Sequence, residues 1–460
     1  MMTRRLFLAL CLAMGVSSSL IALACRLGWL DSEQKDAIEQ QRAEFERAAR
    51  RASTIEGAIL SREKIALTTA SEPGVPAQTT NICYDSLVGY RTSTASSGLR
   101  QEFADTLFYA AEEGGGTAPS LVTTISSELQ QLAYSLVQGR GRGLCCVANA
   151  RTGQVYALAC SQGEVEFSAN DFAKNYSAYT AASGYLLPVW QDVDPPGSTA
   201  KIPTALAALL AGADLDYTDE TGEYQGIRNA SRRALGALDL KRAAVLSSNV
   251  YFAQLSDKIS LETLVHAQEL LGVNQSFLRL GKTLLPAKST LTAAASRGES
   301  RQQAIGQGGL SVSPLLPMAW AGAAATGKLT TLAVADHFEQ TLPDGSVEEM
   351  PLPDGYAAEQ RSLDAPDALP VLQDVFEAVA ESYGLVLSGA HVYAKTGTAQ
   401  VGAQGDMHVI YLPFSIVYPD GSAYEAILVR ENTTEMSSVL KPLAKTLLDA
   451  IDRLHTEWEG

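Results

Sequence analysis

DPPGSTAKIPTALAALLAG, residues 194–212, is the stretch from which the rest of this 460-residue chain can be read. Asp194, two prolines and Gly197 make a turn, and from Ile202 onward the sequence is apolar, so the turn delivers Ser198 to the start of a helix. Residues three apart on a helix share a face, which lets Lys201 bring its amine within hydrogen-bond reach of the Ser198 hydroxyl. That pairing sets a nucleophile beside a base. A helix N-terminus adds unpaired N–H groups and a positive dipole, both favourable to negative charge developing on a bound oxygen. Pro203 has to be absorbed early in that helix.

Ser-x-x-Lys spacing alone identifies nothing, because it recurs at Ser32/Lys35, Ser61/Lys64 and Ser438/Lys441. Its company is more informative. Ser247-Ser248-Asn249 heads VYFAQLSDKI, a second polar turn running into a helix-like segment. Lys395-Thr396-Gly397-Thr398-Ala399-Gln400 closes a strand-like run, Gly397 allows close approach of a substrate backbone, and the Lys-Thr-Gly triplet occurs once.

Working outward, GLCCVANA (143–150) and QVYALAC (154–160) flank Ala-Arg-Thr-Gly, where Gly153 can take the positive φ of a tight turn, so a hairpin opens a sheet here. Before it, TTISSELQQLAYSLVQG (123–139) has Ser126 as N-cap and Leu129, Leu132, Leu136 and Val137 on one helix face. Strands are expected again only near the end, in AHVYAK, MHVIYLPFSIVY and AYEAILVRE, around a long helical middle rich in Ala and Leu. The last segment, 437–459, carries Leu440, Leu447, Leu448, Ile451 and Leu454 at helical spacing and should pack on the sheet. No internal repeat is visible.

The length allows roughly two to three domains at ~150 residues each. LFLALCLAMGVSSSLIALAC (6–25) is uncharged and reaches about 30 Å as a helix, one bilayer crossing. Arg4 and Arg5 precede it and Asp31, Glu33 and Asp36 follow, which puts the N-terminus in the cytoplasm and the body outside. A cleaved signal peptide, or cleavage before a lipid-bearing Cys25, leads to the same side of the membrane, although the apolar run exceeds the ~7 to 15 residues of a signal core. The charged run 33–51 suits a helical stalk, and the glycine-rich AAEEGGGTAPS (110–120) marks a boundary. The expected division is 1–30 cytoplasmic tip and anchor, 31–116 stalk and small pedestal, and 117–460 the main domain.

Composition excludes other classes. Hydrophobic residues at 46% and charged ones at 19% are ordinary globular usage and rule out a multi-span transporter. With 35 Lys+Arg against 51 Asp+Glu, the net charge of −16 argues against nucleic acid. Cys145, Cys146 and Cys160 sit in apolar strands and read as core, so no disulfide framework is implied. The five histidines, His266, His337, His391, His408 and His455, show no ligand spacing, and neither a metal site nor a histidine triad has support.

The order SxxK, SxN, KTG resembles the transpeptidase domain of penicillin-binding proteins and serine β-lactamases. DPPGSTAK, SSNVYFAQL, IGQGGLSVSPL and AKTGTAQ are similar to blocks of class B penicillin-binding proteins, over about Thr117 to Lys445. NARTGQVYALA resembles that family's first core hairpin, and LVGYRTSTASSGLRQEFADTLF (87–108) resembles its segment before the catalytic domain. The resemblance implies an α/β (α+β) fold of β-lactamase/transpeptidase type, with a central antiparallel sheet flanked by helices. It also implies peptidoglycan D,D-transpeptidation without a cofactor, through acylation of Ser198 by a D-Ala-D-Ala stem peptide and inhibition by β-lactam antibiotics. Lys201 would be the base, its pKa lowered by burial and by Lys395. Ser247 would relay a proton to the leaving amine, Asn249 bind the substrate amide, and Thr396, Gly397 and Thr398 line the substrate side, with N–H groups of Ser198 and Thr398 as oxyanion hole. Gln307 receives no chemical role. No segment resembles a glycosyltransferase, so a separate glycan polymerase, a multi-span membrane protein, is the implied partner. A D,D-carboxypeptidase or β-lactam hydrolase on the same fold is the enzymatic rival, and a β-lactam sensor or scaffold the non-enzymatic one. Two departures stand out: TIEGAILSREKIAL (54–67) has Ser61 where the family's first motif has an acid, and MHVIYLP lacks the usual aromatic pair.

Overall fold

A computed structural model of the chain describes residues 54–459 except 93–94, 111–116, 164, 184–187, 276–280, 282–288, 293, 295 and 402–405. The expected anchor and stalk lie outside the described residues, as does most of the glycine-rich run. Among the described residues no helix is long and apolar enough to cross a membrane.

The principal helices are α1 (Ser127–Val137), α2 (Lys201–Leu210), α3 (Asn249–Lys258), α4 (Leu315–Thr326), α5 (Leu369–Ser382) and α6 (Lys441–Glu459). The central sheet is antiparallel, built from β1 (Arg142–Asn149), β2 (Val155–Gln162), β3 (His391–Ala394), β4 (Gly397–Val401), β5 (Met407–Val417) and β6 (Ala423–Thr433). Its order is β3-β5-β6-β1-β2, with β4 also paired to β5. Ala394 faces Phe414 and Gly397 faces Tyr411, so β3 and β4 form one edge strand in unbroken register. Opposite Lys395 stands Pro413, which has no N–H to give, and the ladder loses a rung there while Lys395 N–H still donates to Pro413 O at 3.2 Å. The future site residues Lys395 and Thr396 occupy that gap.

Every residue of β1 and β2 is buried, because α4 covers one face of the sheet while α1 and α6 cover the other. This explains why the strands read as near-continuous apolar runs. Gly153 turns the β1–β2 hairpin at φ +75°, and Ser126 caps α1 by accepting from Leu129 N–H. Cys145, Cys146 and Cys160 are free and buried, as core residues should be.

The long middle is not all helix. Short hairpins occupy Tyr217–Asp219 with Gly236–Leu238 and Glu223–Tyr224 with Ile227–Arg228, and Ala335–Thr341 pairs with Val347–Pro351. These strands are short or polar on their exposed side, so they carry no apolar alternation by which to be read. Ala335–Thr341 also pairs with Ser120–Thr123, to which Ile59–Leu60 adds in parallel, so strand pairing ties the chain together across residue 116. The N-terminal segment has its own polar core: Glu56, fully buried, takes Arg100 Nε at 2.6 Å and Arg91 Nη1 at 3.1 Å. Both arginines come from the 87–108 block. Ser61 needs no acid in its place, since its hydroxyl accepts from the N–H groups of Glu63 and Ile65 at a turn.

Several buried polar groups lack such satisfaction among the described residues, and Glu425 is the one that carries a titratable proton beneath α4. Glu425 on β6 lies opposite Ser415 and Ala148 and presses against Gly322 of α4, where any Cβ would overlap its carboxyl. Its Oε1 and the Ser415 hydroxyl have no partner among the described residues. Burial pushes the Glu425 carboxyl up to about 8. The fold therefore holds a proton that the unfolded chain releases near the usual glutamate range, and stability falls as pH rises from there toward 8. Glu425→Gln is expected to flatten that slope and to gain on the order of 2 kcal/mol at pH 8. Urea unfolding between pH 5 and 8 checks this, and equal slopes for both proteins would contradict it.

Candidate active site

The serine turn is set by close backbone contacts. Gly197–Ala200 forms a single 3-10 turn that passes into α2, and Pro203 is the third residue of α2, where its missing N–H belongs to the unpaired first turn. Gly197 has φ +54°, and a Cβ there would sit 2.6 Å from Thr398 O of β4. From the other side Gly197 N–H donates to Gly306 O at 2.9 Å, and Gly306 has φ +80° with no room for a side chain against Gly197. The IGQG block thus has a structural task, carried by Gly306: it clamps the serine turn against the edge strand. Upstream, Asp194 exchanges backbone hydrogen bonds with Val312, and Asp192 pairs with Arg142, whose Nε donates to Glu431 at 2.8 Å. Burial, reinforced by Asp192, pushes the Asp194 carboxyl up to about 6.

The three motifs meet at two buried amines. Lys201 Nζ lies 3.0 Å from Ser198 Oγ, 2.7 Å from Ser247 O, 3.1 Å from Ser247 Oγ and 2.8 Å from Asn249 Oδ1. Lys395 Nζ lies 3.0 Å from the same Ser247 Oγ and 3.1 Å from Thr396 O. Both lysines are 0% exposed. Burial first, and the Lys395 charge second, hold the Lys201 amine well below the usual lysine range. A neutral amine has two N–H bonds and one lone pair. Ser247 O and Asn249 Oδ1 can only accept, so they take the two hydrogens, and the lone pair is left for the Ser198 hydroxyl. The Asn249 orientation follows from its other end, where Nδ2 donates to Arg228 O at 2.9 Å.

Ser247 sits at φ +51°, in the left-handed region that serine rarely occupies. Ser248 then caps α3 by accepting from Tyr251 N–H, which fixes Asn249 at the first helical position. On the edge strand, Gly397 leaves no space for a Cβ between Pro196 O at 2.7 Å and Thr199 at 2.8 Å. The Thr396 hydroxyl is 2.8 Å from the Tyr383 hydroxyl, and Thr398 Oγ1 is 3.0 Å from Ser437 Oγ. The eight candidate site residues named in the sequence thus gather in one contiguous cluster. Sequence reading missed Gly306, Tyr383 and Ser437, whose partners lie on other elements of the fold.

The described residues also bring His337, Glu339 and Glu349 together on the strand pair of the N-terminal sheet. Lys64 Nζ reaches Glu339 at 2.5 Å, so a cation already balances that cluster. Gly306→Ala is expected to destabilise the chain by about 2 kcal/mol or more and to displace the serine turn. Chemical unfolding together with the rate of covalent modification at Ser198 checks it, and wild-type values for both would contradict the clamp.

Comparison with known proteins agrees with this geometry. The family model described as penicillin binding protein transpeptidase domain matches residues 143–449. A peptidoglycan D,D-transpeptidase PbpA of Mycobacterium tuberculosis is 23% identical over 362 residues, 71% of each chain. A counterpart from Mycolicibacterium smegmatis is 24% identical over 351 residues, 70% of this chain and 69% of that one. Among solved structures, the D,D-transpeptidase domain of a peptidoglycan glycosyltransferase from Eggerthella lenta superposes with a TM-score of 0.72 at 22% identity, over 88% of this chain and 99% of that one. The penicillin G acyl-enzyme complex of penicillin-binding protein A from M. tuberculosis gives 0.72 at 19% identity, over 86% and 99%. At such identities the superpositions speak for the fold alone, but the family model spans well over half of the sequence and encloses SxxK, SxN and KTG, and the chain belongs to the penicillin-binding protein transpeptidase family.

Proposed function

We infer that this protein is a peptidoglycan D,D-transpeptidase that works through a Ser198 acyl-enzyme and is blocked by β-lactams. The observation that carries the reading is a fully buried Lys201 amine 3.0 Å from the Ser198 hydroxyl, with burial and the Lys395 charge holding it well below the usual lysine range. Lys201 takes the Ser198 proton as Oγ attacks the carbonyl of the penultimate D-Ala. The oxyanion is received by N–H groups of Ser198 and Thr398. The C–N bond then breaks, and Ser247, between the two lysines, passes a proton to the departing D-Ala amine. An amine from a neighbouring stem peptide attacks the ester, gives up its proton along the same route and restores the serine. Lys395 keeps its charge to hold Lys201 neutral and, with Thr396 and Thr398, to meet the substrate carboxylate. The second amide hydrogen of Asn249 is available to the substrate backbone, which Gly397 lets approach closely. In a β-lactam the amine released on ring opening stays tethered, so the adduct persists.

The same reading includes a single-pass anchor at 1–30 with its N-terminus in the cytoplasm, a pedestal over 31–116 and the catalytic domain outside, over 117–460. It also includes a multi-span membrane glycan polymerase as partner. The relatives named above are D,D-transpeptidases, which favours this activity over hydrolysis.

A fluorescent penicillin is expected to label the wild type covalently at Ser198 and not to label Ser198→Ala, and mass spectrometry of the modified peptide decides. Turnover of the adduct within minutes would point instead to a β-lactam hydrolase. Because Lys201 must be neutral, the labelling rate should fall as pH drops through its lowered pKa. Lys201→Arg, charged at every accessible pH, should lose about a thousandfold or more. Thr398→Ala should weaken substrate engagement while keeping the backbone hole.

A further inference from the structure

Tyr383 is the C-cap of α5, the helix that packs against β3, so its ring is placed by a rigid element and not by a loop. Its oxygen accepts from Thr396 N–H at 3.3 Å and shares a hydrogen with Thr396 Oγ1 at 2.8 Å. Thr396 is thus held at both main chain and side chain, one residue after the Lys395 rung that Pro413 leaves incomplete. Lys441, at the start of α6, places Nζ 4.1 Å from the centre of the same ring. The phenol oxygen is therefore bonded to Thr396, the neighbour of Lys395, while the Lys441 amine lies over the ring, and Lys201 faces Lys395 across Ser247. Neither Tyr383 nor Lys441 belongs to the three motifs, and no step written above uses them.

We propose that Tyr383 is a positioning residue of the transpeptidase site: bonded to Thr396 at main chain and side chain, it fixes the segment that carries Lys395 and sets its phenol oxygen to support that lysine's charge, with the Lys441 amine over its ring acting against it. This rests on the reading of Ser198 as the acylated nucleophile and adds to it a control on the second lysine. Burial lowers the Lys395 pKa, the Tyr383 oxygen raises it and Lys441 lowers it. Burial raises the phenol, but the Lys395 charge, the two hydrogen bonds with Thr396 and then the Lys441 charge together hold it below its usual range. Lys395 must stay charged to keep Lys201 neutral, so the oxygen of Tyr383 acts on the base at one remove.

The test is the pH profile of covalent labelling of the full-length protein by fluorescent penicillin. The acid limb reports Lys201, and the alkaline limb reports the Lys395–Tyr383 pair. Tyr383→Phe keeps the ring beneath Lys441 and removes only the oxygen. It is expected to slow labelling about five- to tenfold near neutral pH and to move the alkaline limb down by roughly half a unit or more. Lys441→Met should move the same limb in the opposite direction, to higher pH. A purely structural role would lower the amplitude of both profiles and leave the limbs in place. An alkaline limb that does not move, or that moves up in Tyr383→Phe, overturns the proposal while the labelled wild type keeps the enzymatic reading intact. A wild type that takes no label sinks both.

Discussion

Two ammonium-bearing side chains share one serine hydroxyl inside a dry wall of protein, and the rest of the architecture answers to that constraint. Like charges this close, removed from water, cannot both stay ionised without large cost, so each amine is pushed toward losing its proton, Lys201 the more strongly. Burial and the Lys395 charge lower Lys201, and its surroundings suit a neutral amine, with acceptors for two hydrogens and a hydroxyl for a lone pair. Lys395 keeps a carbonyl and a phenol near it instead. The asymmetry between two chemically identical groups comes entirely from their neighbours.

Holding that asymmetry requires backbones, more than side chains, to touch. Gly197, Gly306 and Gly397 lie where the serine turn, the 305–307 turn and the edge strand meet, and in each case a Cβ would run into main-chain atoms. The turn is braced from behind by Thr199, whose hydroxyl donates to Pro196 O at 2.7 Å, and by the backbone pairing of Asp194 with Val312. Ser247 carries the strained φ, stabilised because both its oxygens are engaged by the two amines. Such a site tolerates little relaxation, since each contact fixes the next.

Buried charge is handled differently elsewhere in the molecule. Glu56 is matched by two guanidinium groups, whereas Glu425 has no cation beside it among the described residues and burial pushes its carboxyl up to about 8. The first solution ties the N-terminal segment together around an ion cluster. The second leaves a pH-sensitive group between the sheet and α4.

The sequence by itself determined what lies within a few residues of a turn. Helical geometry relates Ser198 to Lys201, Ser248 caps the helix that carries Asn249, Gly153 makes the first hairpin, and the leucine spacing of α6 names its buried face. The family motifs then identified the chemistry, because their order is rare in combination. Tertiary structure alone decided which groups act on which. Lys395 reaches a serine 148 positions away and Tyr383 a threonine 13 away across a strand gap, while Gly306 matters only because Gly197 lies against it. It also placed the polar strands of 335–351 beside 120–123, a pairing with no local apolar pattern to announce it. Local spacing encodes direction along a helix or strand, whereas desolvation and charge proximity are properties of the assembled interior, which no short segment contains.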